Sequence, residues 1–223
     1  ERYQRLKSEL SSLKSSAGGR LNVAAIFSIG MHTLQGYVKK FMVRYPNVNV
    51  NIEYIGPARI YDQVLAGEVD IGIVAVPKKD KRLNVYNFED EPLVLVCSPK
   101  HPLAKESEVD ISKLQFERFI CFGADIPTRG WIDGILQRYN VIVQPVMEFD
   151  NIETIKRAVE INSGVSILPM AAVVQEVANG TLKAVRFSNE NFFRPTGIVV
   201  RKDRILSNAG KYFIELLRKK VAV

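Results

Sequence analysis

Cysteine is nearly absent from the chain, with Cys97 and Cys121 alone in 223 residues. Two cysteines build neither a disulfide framework nor a metal site. Both lie in apolar, strand-like runs, so packing in a reducing compartment is their expected role. Histidine is as scarce, represented by His32 and His101. No His/Cys/carboxylate cluster has metal-ligand spacing, and neither a Gly-x-Ser-x-Gly elbow nor a phosphate loop occurs. A Ser28/His32 pair at i, i+4 suggests a nucleophile and its base, but no third group orients it. Catalytic residues, a cofactor and a metal are therefore not expected. Long apolar runs are missing too: none approaches the ~20 residues that cross a bilayer. The first residues, Glu1-Arg2-Tyr3-Gln4-Arg5, carry no secretory apolar core, which makes the cytoplasm the expected location, without membrane contact.

What is present is enough apolar material for a core, 47% of residues, in a length that suits one large or two small domains. Basic residues outnumber acidic ones, 31 to 24, for a net charge of +7. That excess steers anions but does not name them. The cations are scattered, as at Lys39-Lys40, Lys78-Lys79-Asp80-Lys81-Arg82 and Arg218-Lys219-Lys220. No basic helix or aromatic stacking platform of the nucleic-acid type is visible.

The organising stretch is Glu91-Pro92-Leu93-Val94-Leu95-Val96-Cys97-Ser98-Pro99, an apolar run that stops at a polar, proline-containing segment. It reads as a strand buried on both faces that ends at a crossover. Thr196-Gly197-Ile198-Val199-Val200-Arg201 has the same character. If the two runs are neighbours, the chain leaves one lobe through the first and returns through the second, with a cleft where they meet. The alternative is two ordinary core strands of a single domain.

Taken in order, Tyr3, Leu6, Leu10 and Leu13 form an a/d seam, ended by Ala17-Gly18-Gly19. A seam with nothing behind it wants a partner, so this reads as the end of a dimerising helix; the alternative is a helix packed on its own domain. From Arg20 strands and helices alternate. Residues 21–26 form a strand, Leu34, Val38, Phe41 and Met42 stripe a helix, and Val48 to Tyr54 alternate as a second strand. Ile60, Val64 and Leu65 stripe a helix that Gly67 closes, and residues 70–76 form a third strand. Successive βα units imply a parallel sheet with helices on both faces. The grammar restarts with a strand at 118–122, a helix striped by Trp131, Ile132, Ile135, Leu136 and Tyr139, and a strand at 143–149. Asp150 and Glu153 have capping-box spacing ahead of a helix whose buried face is Ile152, Ile155 and Val159. A short strand reaches Pro169, placed to start another helix at its first position. Ser207 can cap a last helix with Ala209, Phe213, Leu216 and Leu217 inward.

The order of these motifs resembles the effector-binding half of a LysR-type transcriptional regulator. The matching residues are Ser28 before the helix ending Phe41-Met42-Val43-Arg44-Tyr45-Pro46, then Leu65-Ala66-Gly67-Glu68-Val69-Asp70-Ile71-Gly72-Ile73. They continue through Glu91 to Val96, His101-Pro102-Leu103-Ala104, Val159 to Pro169 and the Arg201 region. The resemblance implies an α/β fold of two Rossmann-like lobes joined by two crossover strands, like the type 2 periplasmic-binding proteins. Residues 1–18 would be the end of the linker helix, 20–97 with 197–223 one lobe, and 98–196 the other. Cys97, Ser98, Pro99, Thr196 and Gly197 would form the hinge. A small, anionic effector would bind in the cleft, within a homodimer or homotetramer. DNA would be contacted through a winged helix-turn-helix domain outside this chain.

Carried over, the effector contacts are Ser28, Ile29 and Gly30 in the first lobe, Ser98 at the hinge, and Thr128, Arg129, Phe149 and Asp150 in the second. Helix N-termini opposed across a cleft suit a carboxylate, because their N–H groups lack partners. Plainer roles stand beside these: Ser28 and Thr128 as caps, Asp150 as a cap, Arg59 and Arg129 as exposed cations. The family often has further Ser or Thr beside Ser28, whereas Phe27, Ile29, Gly30 and Met31 surround it here. A transport solute-binding protein of the same fold is the alternative function, against which the leucine seam and the lack of an export signal speak. An enzyme on this scaffold would need catalytic groups that the sequence does not offer.

Overall fold

The longest strand settles the architecture. In a computed structural model that describes residues 18–219, β4 (Leu83–Cys97) runs through three core clusters in succession. Its first part, Leu83 to Pro92, pairs antiparallel with β10 (Phe193–Arg201); its second part, Leu93 to Cys97, pairs with β8 (Ser166–Pro169) and β9 (Lys183–Phe187). In the first part only Leu83, Phe88 and Glu91 are buried, and the second is buried throughout. Only the second part therefore reads as an apolar run in the sequence.

The first lobe is a sheet in the order β2-β1-β3-β10-β4, in which β1 (Gly19–Ala25) lies parallel to β2 (Val48–Tyr54) and β3 (Ile71–Ala75). A helical stretch opens at Phe27 and Ser28, widens into a π turn at Ile29–Thr33, and continues as α1 (Leu34–Arg44). Helix α2 (Pro57–Ala66) returns the chain to β3 and ends at Gly67, whose φ of 79° is the left-handed cap that glycine adopts without a Cβ clash. β3 is buried along its whole length because helices cover both its faces. A Cβ on Gly72 would lie 2.6 Å from Ile60 Cγ2, so α2 packs this closely only over a glycine. Helix α6 (Asn208–Arg218), capped by Ser207 Oγ accepting from Gly210 N–H at 3.2 Å, closes the lobe through Phe213, edge-on to Phe41.

In the second lobe β6 (Arg118–Phe122) and β7 (Gln144–Phe149) are parallel, joined by α3 (Pro127–Arg138). Helix α4 (Ile152–Glu160) leads to β8, and a bridge between Phe119 and Val165 ties β6 to the rest. Helix α5 (Val174–Asn179) precedes β9, which pairs with β5 (Glu108–Val109). The two-lobed α/β fold with crossover strands is thus the observed one.

Several local expectations need correcting. The Tyr3, Leu6, Leu10 and Leu13 seam lies outside the described residues. Met42 and Trp131 are exposed, and in α6 Ile214 is buried where Leu216 was expected, because the helix rotates its stripe toward β1. Pro169 is the cap of a short 3-10 turn, Met170–Ala172, not the first residue of a helix. Asn151, not Asp150, caps α4 by accepting from Glu153 N–H at 2.9 Å, which frees Glu153 for other partners. The passage between lobes falls at Pro92–Leu93, where Leu93 N–H donates to Phe192 C=O at 2.8 Å. Cys97 consequently packs in the second-lobe core and Ser98 and Pro99 lie past the junction, while Thr196 occupies a bulge between β10 and β4 and Gly197 continues the first-lobe ladder.

Candidate functional site

Between the lobes lies a cavity of about 400 Å³, a volume that suits a small metabolite. Its walls come from both lobes, with Ile26, Ile55 and Ala75 on one side and Phe122, Ile126 and Ile152 on the other. Polar groups are few and placed by helix starts. Helices α2 and α3 each begin with a proline, Pro57 and Pro127, preceded by Gly56 and Ile126, neither of which supplies a capping side chain. Proline has no N–H to satisfy, so the amides of Ala58 and Thr128 are the first free donors at these ends. Both residues line the cavity, one from each lobe. The start of α4 is already satisfied by Asn151 and offers less.

The buried cation of the site is Arg194, on β10, 1% exposed. Its Nε donates to Glu91 Oε2 at 3.0 Å, and Nη2 also bonds that oxygen. Nη2 donates further to Ser28 Oγ at 3.1 Å and Nη1 to Thr128 Oγ1 at 3.2 Å. The other carboxylate oxygen of Glu91 accepts from Thr33 Oγ1 at 2.8 Å. One guanidinium on a crossover strand thereby joins the first lobe at Ser28, the second at Thr128 and the other crossover strand at Glu91. Of its five N–H groups, these bonds use four and leave one on Nη1. Burial of such a pair is costly unless hydrogen bonds complete it, which Ser28, Thr128 and Thr33 do.

Of the sequence-predicted contacts, Ser28, Thr128 and Asp150 line the cavity. Ser28 is not a cap: its backbone is helical and its hydroxyl accepts from Arg194, keeping its own proton to donate. Arg59 is on the lining, exposed at the start of α2. The others lie elsewhere. Ile29 is buried in the first-lobe core, and Gly30 lies against the Tyr54 ring. Ser98 Oγ turns to Glu160 C=O at 3.4 Å. Arg129 is drawn away by Glu148 at 2.9 Å, Asp133 at 2.8 Å and Phe122 C=O at 2.9 Å, and the Phe149 ring packs on the second-lobe core. Sequence reasoning passed over Arg194 and the role of Glu91. The available signal was a lone Arg between Phe192-Phe193 and Pro195, at the head of an apolar run.

Residues 14–222 match the family described as LysR substrate binding domain. The chain belongs to this LysR family. Its curated relatives include a probable RuBisCO transcriptional regulator of Cyanophora paradoxa, 27% identical over 212 residues, which are 92% of this chain and 65% of that protein. The HTH-type transcriptional activator CmpR of Synechocystis is 24% identical over 217 residues, 97% of this chain and 70% of its own length. The chain spans about two thirds of the length of these relatives. Among solved structures, the Synechocystis PCC6803 CcmR regulatory domain in complex with 2-PG superposes with a TM-score of 0.80 at 27% identity, covering 90% of this chain and 96% of that one. The effector binding domain of QuiR in complex with shikimate has a TM-score of 0.82 at 18% identity, covering 91% of this chain and 97% of that one, a likeness of fold.

Proposed function

We propose that this chain is the effector-sensing domain of a LysR-type transcriptional regulator and that it binds a small organic anion in the inter-lobe cavity. The observation that carries the reading is the convergence on one cavity of two uncapped helix ends, from opposite lobes, and the buried Arg194 with an N–H to spare. Helix ends and a guanidinium favour negative charge where an uncharged ligand gains little. The effector's anionic head meets the amides of Ala58 and Thr128 and the Ser28 hydroxyl, and its body lies on the apolar wall. Occupancy draws the lobes together around Arg194, which changes how a homodimer or homotetramer presents its DNA-reading domains. Family membership favours this over transport, and over an enzyme, since these domains sense ligands in regulators. The cytoplasm is the compartment that such a regulator needs.

A thermal-shift screen of carboxylates and phosphorylated acids, 2-PG and shikimate included, tests the reading. A true effector at 100 times its dissociation constant stabilises the fold by ~2.7 kcal/mol. Ser28→Asp, which sets a carboxylate beside Arg194, abolishes that shift. An effector that binds Ser28→Asp at full strength would place the site elsewhere.

A further inference from the structure

Beside the cavity, on the far side of Ser28 from β1, a second polar contact joins the lobes. His32, in the π turn of the first lobe, has Nε2 2.9 Å from Oε1 of Glu153, in the first turn of α4 in the second lobe. Glu153 is part of a cluster. Lys156 Nζ lies 2.9 Å from Glu153 Oε2, 2.8 Å from Glu176 Oε1 and 3.0 Å from Ala172 C=O, and it is 1% exposed. One ammonium between two carboxylates leaves one negative charge uncompensated. The group that meets this charge across the junction is the imidazole. Burial raises the Glu153 carboxyl, but the hydrogen bonds from Lys156 and His32 outweigh it and hold the group below its ordinary value.

Among the described residues, the elements most closely packed on the π turn bring no further carboxylate to His32. Met170–Ala172 and β3 present no titratable side chain, and the cations of α1, Lys39, Lys40 and Arg44, begin two turns further along. Glu91 is held by Arg194 and Thr33. The other histidine makes a built-in contrast. His101 Nδ1 accepts from Leu103 N–H at 3.3 Å, a bond that its protonation would break, and its neighbour Glu117, at 3.6 Å, belongs to the same lobe.

We propose that protonation of His32 operates a strut between the lobes, in which the imidazolium completes the charge of the Lys156–Glu153–Glu176 cluster and holds the first lobe onto the start of α4. Histidine ordinarily titrates near ~6.5. The strut carries its charge only while the imidazole holds its second proton, so it strengthens on acidification and is lost when that proton leaves. Asn151 and Ile152, just before Glu153, line the cavity, as does Ser28, one turn before His32. Proton and effector thus act on the same pair of elements, and each raises the affinity for the other by an equal factor. Only this last step rests on the cavity being the effector site.

The test measures closure without any effector, so the strut and the effector reading can fail separately. Spin labels on Lys40→Cys and Gln137→Cys, exposed positions in opposite lobes, report the inter-lobe distance. Cys97 and Cys121 stay unlabelled at neutral pH because burial pushes both thiols up to about 11. The expected result is a closed-to-open ratio about threefold higher near pH ~6 than near ~8, the scale of a half-exposed ion pair. His32→Gln, which keeps a hydrogen-bond donor, and Glu153→Gln each lose that response, while His101→Gln retains it. An unchanged response in His32→Gln, or none in the parent, overturns the proposal. If Glu153→Gln fails to fold, the His32→Gln and His101→Gln arms decide alone.

Discussion

Arg194 and Lys156 are both 1% exposed, and each is paired with a buried glutamate, Glu91 and Glu176. The resemblance ends there. Three acceptors match the three protons of Lys156, two of them within α4 and α5 and one at Ala172. Its cluster stays within the second lobe apart from the contact with His32, and the second carboxylate oxygen of Glu176 is buried without a hydrogen-bond partner. Arg194 instead reaches into both lobes, keeps an N–H unspent and forms part of a cavity wall. Buried charge by itself therefore does not mark a binding site, since Lys156 and Glu176 are buried like Arg194 and Glu91 yet line no part of the cavity. A place on the cavity wall, with one N–H beyond those its partners use, is what separates the two.

The contrast is sharpest when each cation is removed. Arg194→Met and Lys156→Met leave a buried carboxylate unpaired and should each destabilise the fold by ~3–5 kcal/mol in denaturant unfolding. Arg194→Met also eliminates effector binding by calorimetry, whereas Lys156→Met leaves affinity within about threefold once folded. Arg194→Met combined with Glu91→Leu recovers most of the stability, because the uncompensated charge is gone, without recovering binding. Normal affinity in that double variant would break the comparison. A smaller effect is expected from Thr128→Val, which removes one acceptor of Arg194 and one hydroxyl at the cavity. It should lose ~1–2 kcal/mol of affinity and about 1 kcal/mol of stability.

The smallest expected effect belongs to the Lys156 side. Glu153 has its folded pKa held down, so the stability it contributes is present above its ordinary value of 4.5 and is lost as pH falls below it. Glu153→Gln should flatten the acid limb of a stability-versus-pH curve, measured by urea unfolding. An unchanged acid limb would mean that its partners compensate without it.

Much of the fold was legible because its signals are local. The stripe Ile152, Ile155 and Val159, the cap at Gly67 and the cap at Ser207 each depend on neighbours a few residues away. The first part of β4 was not, because it buries few of its residues and looks like surface, so the expected boundary at Cys97 lies beyond the change of strand partners at Pro92–Leu93. Of the expected effector contacts, Ser28, Thr128 and Asp150, read from helix starts, are on the cavity lining. Ser98 and Arg129 are absent from that lining, because the direction in which such a hydroxyl or helix arginine points depends on its partners, Glu160 C=O for one and Glu148 for the other. Arg194 was invisible as a site residue because its meaning depends on Glu91, Ser28 and Thr128, all distant in sequence.

By itself, the sequence determined the alternation of strands and helices, the two apolar crossing runs, the scarcity of catalytic groups and the LysR likeness. The first three follow from composition and short-range periodicity, which act on residues close in the chain, and the likeness rests on a match of motifs to a known family. Tertiary structure alone decided which helix ends stay uncapped over a common cavity, where the chain passes between lobes and which cation is left with a free donor. Those are outcomes of long-range packing, since a buried charge is held by whatever partners the fold brings to it, and Arg194 finds Ser28 from 166 positions away.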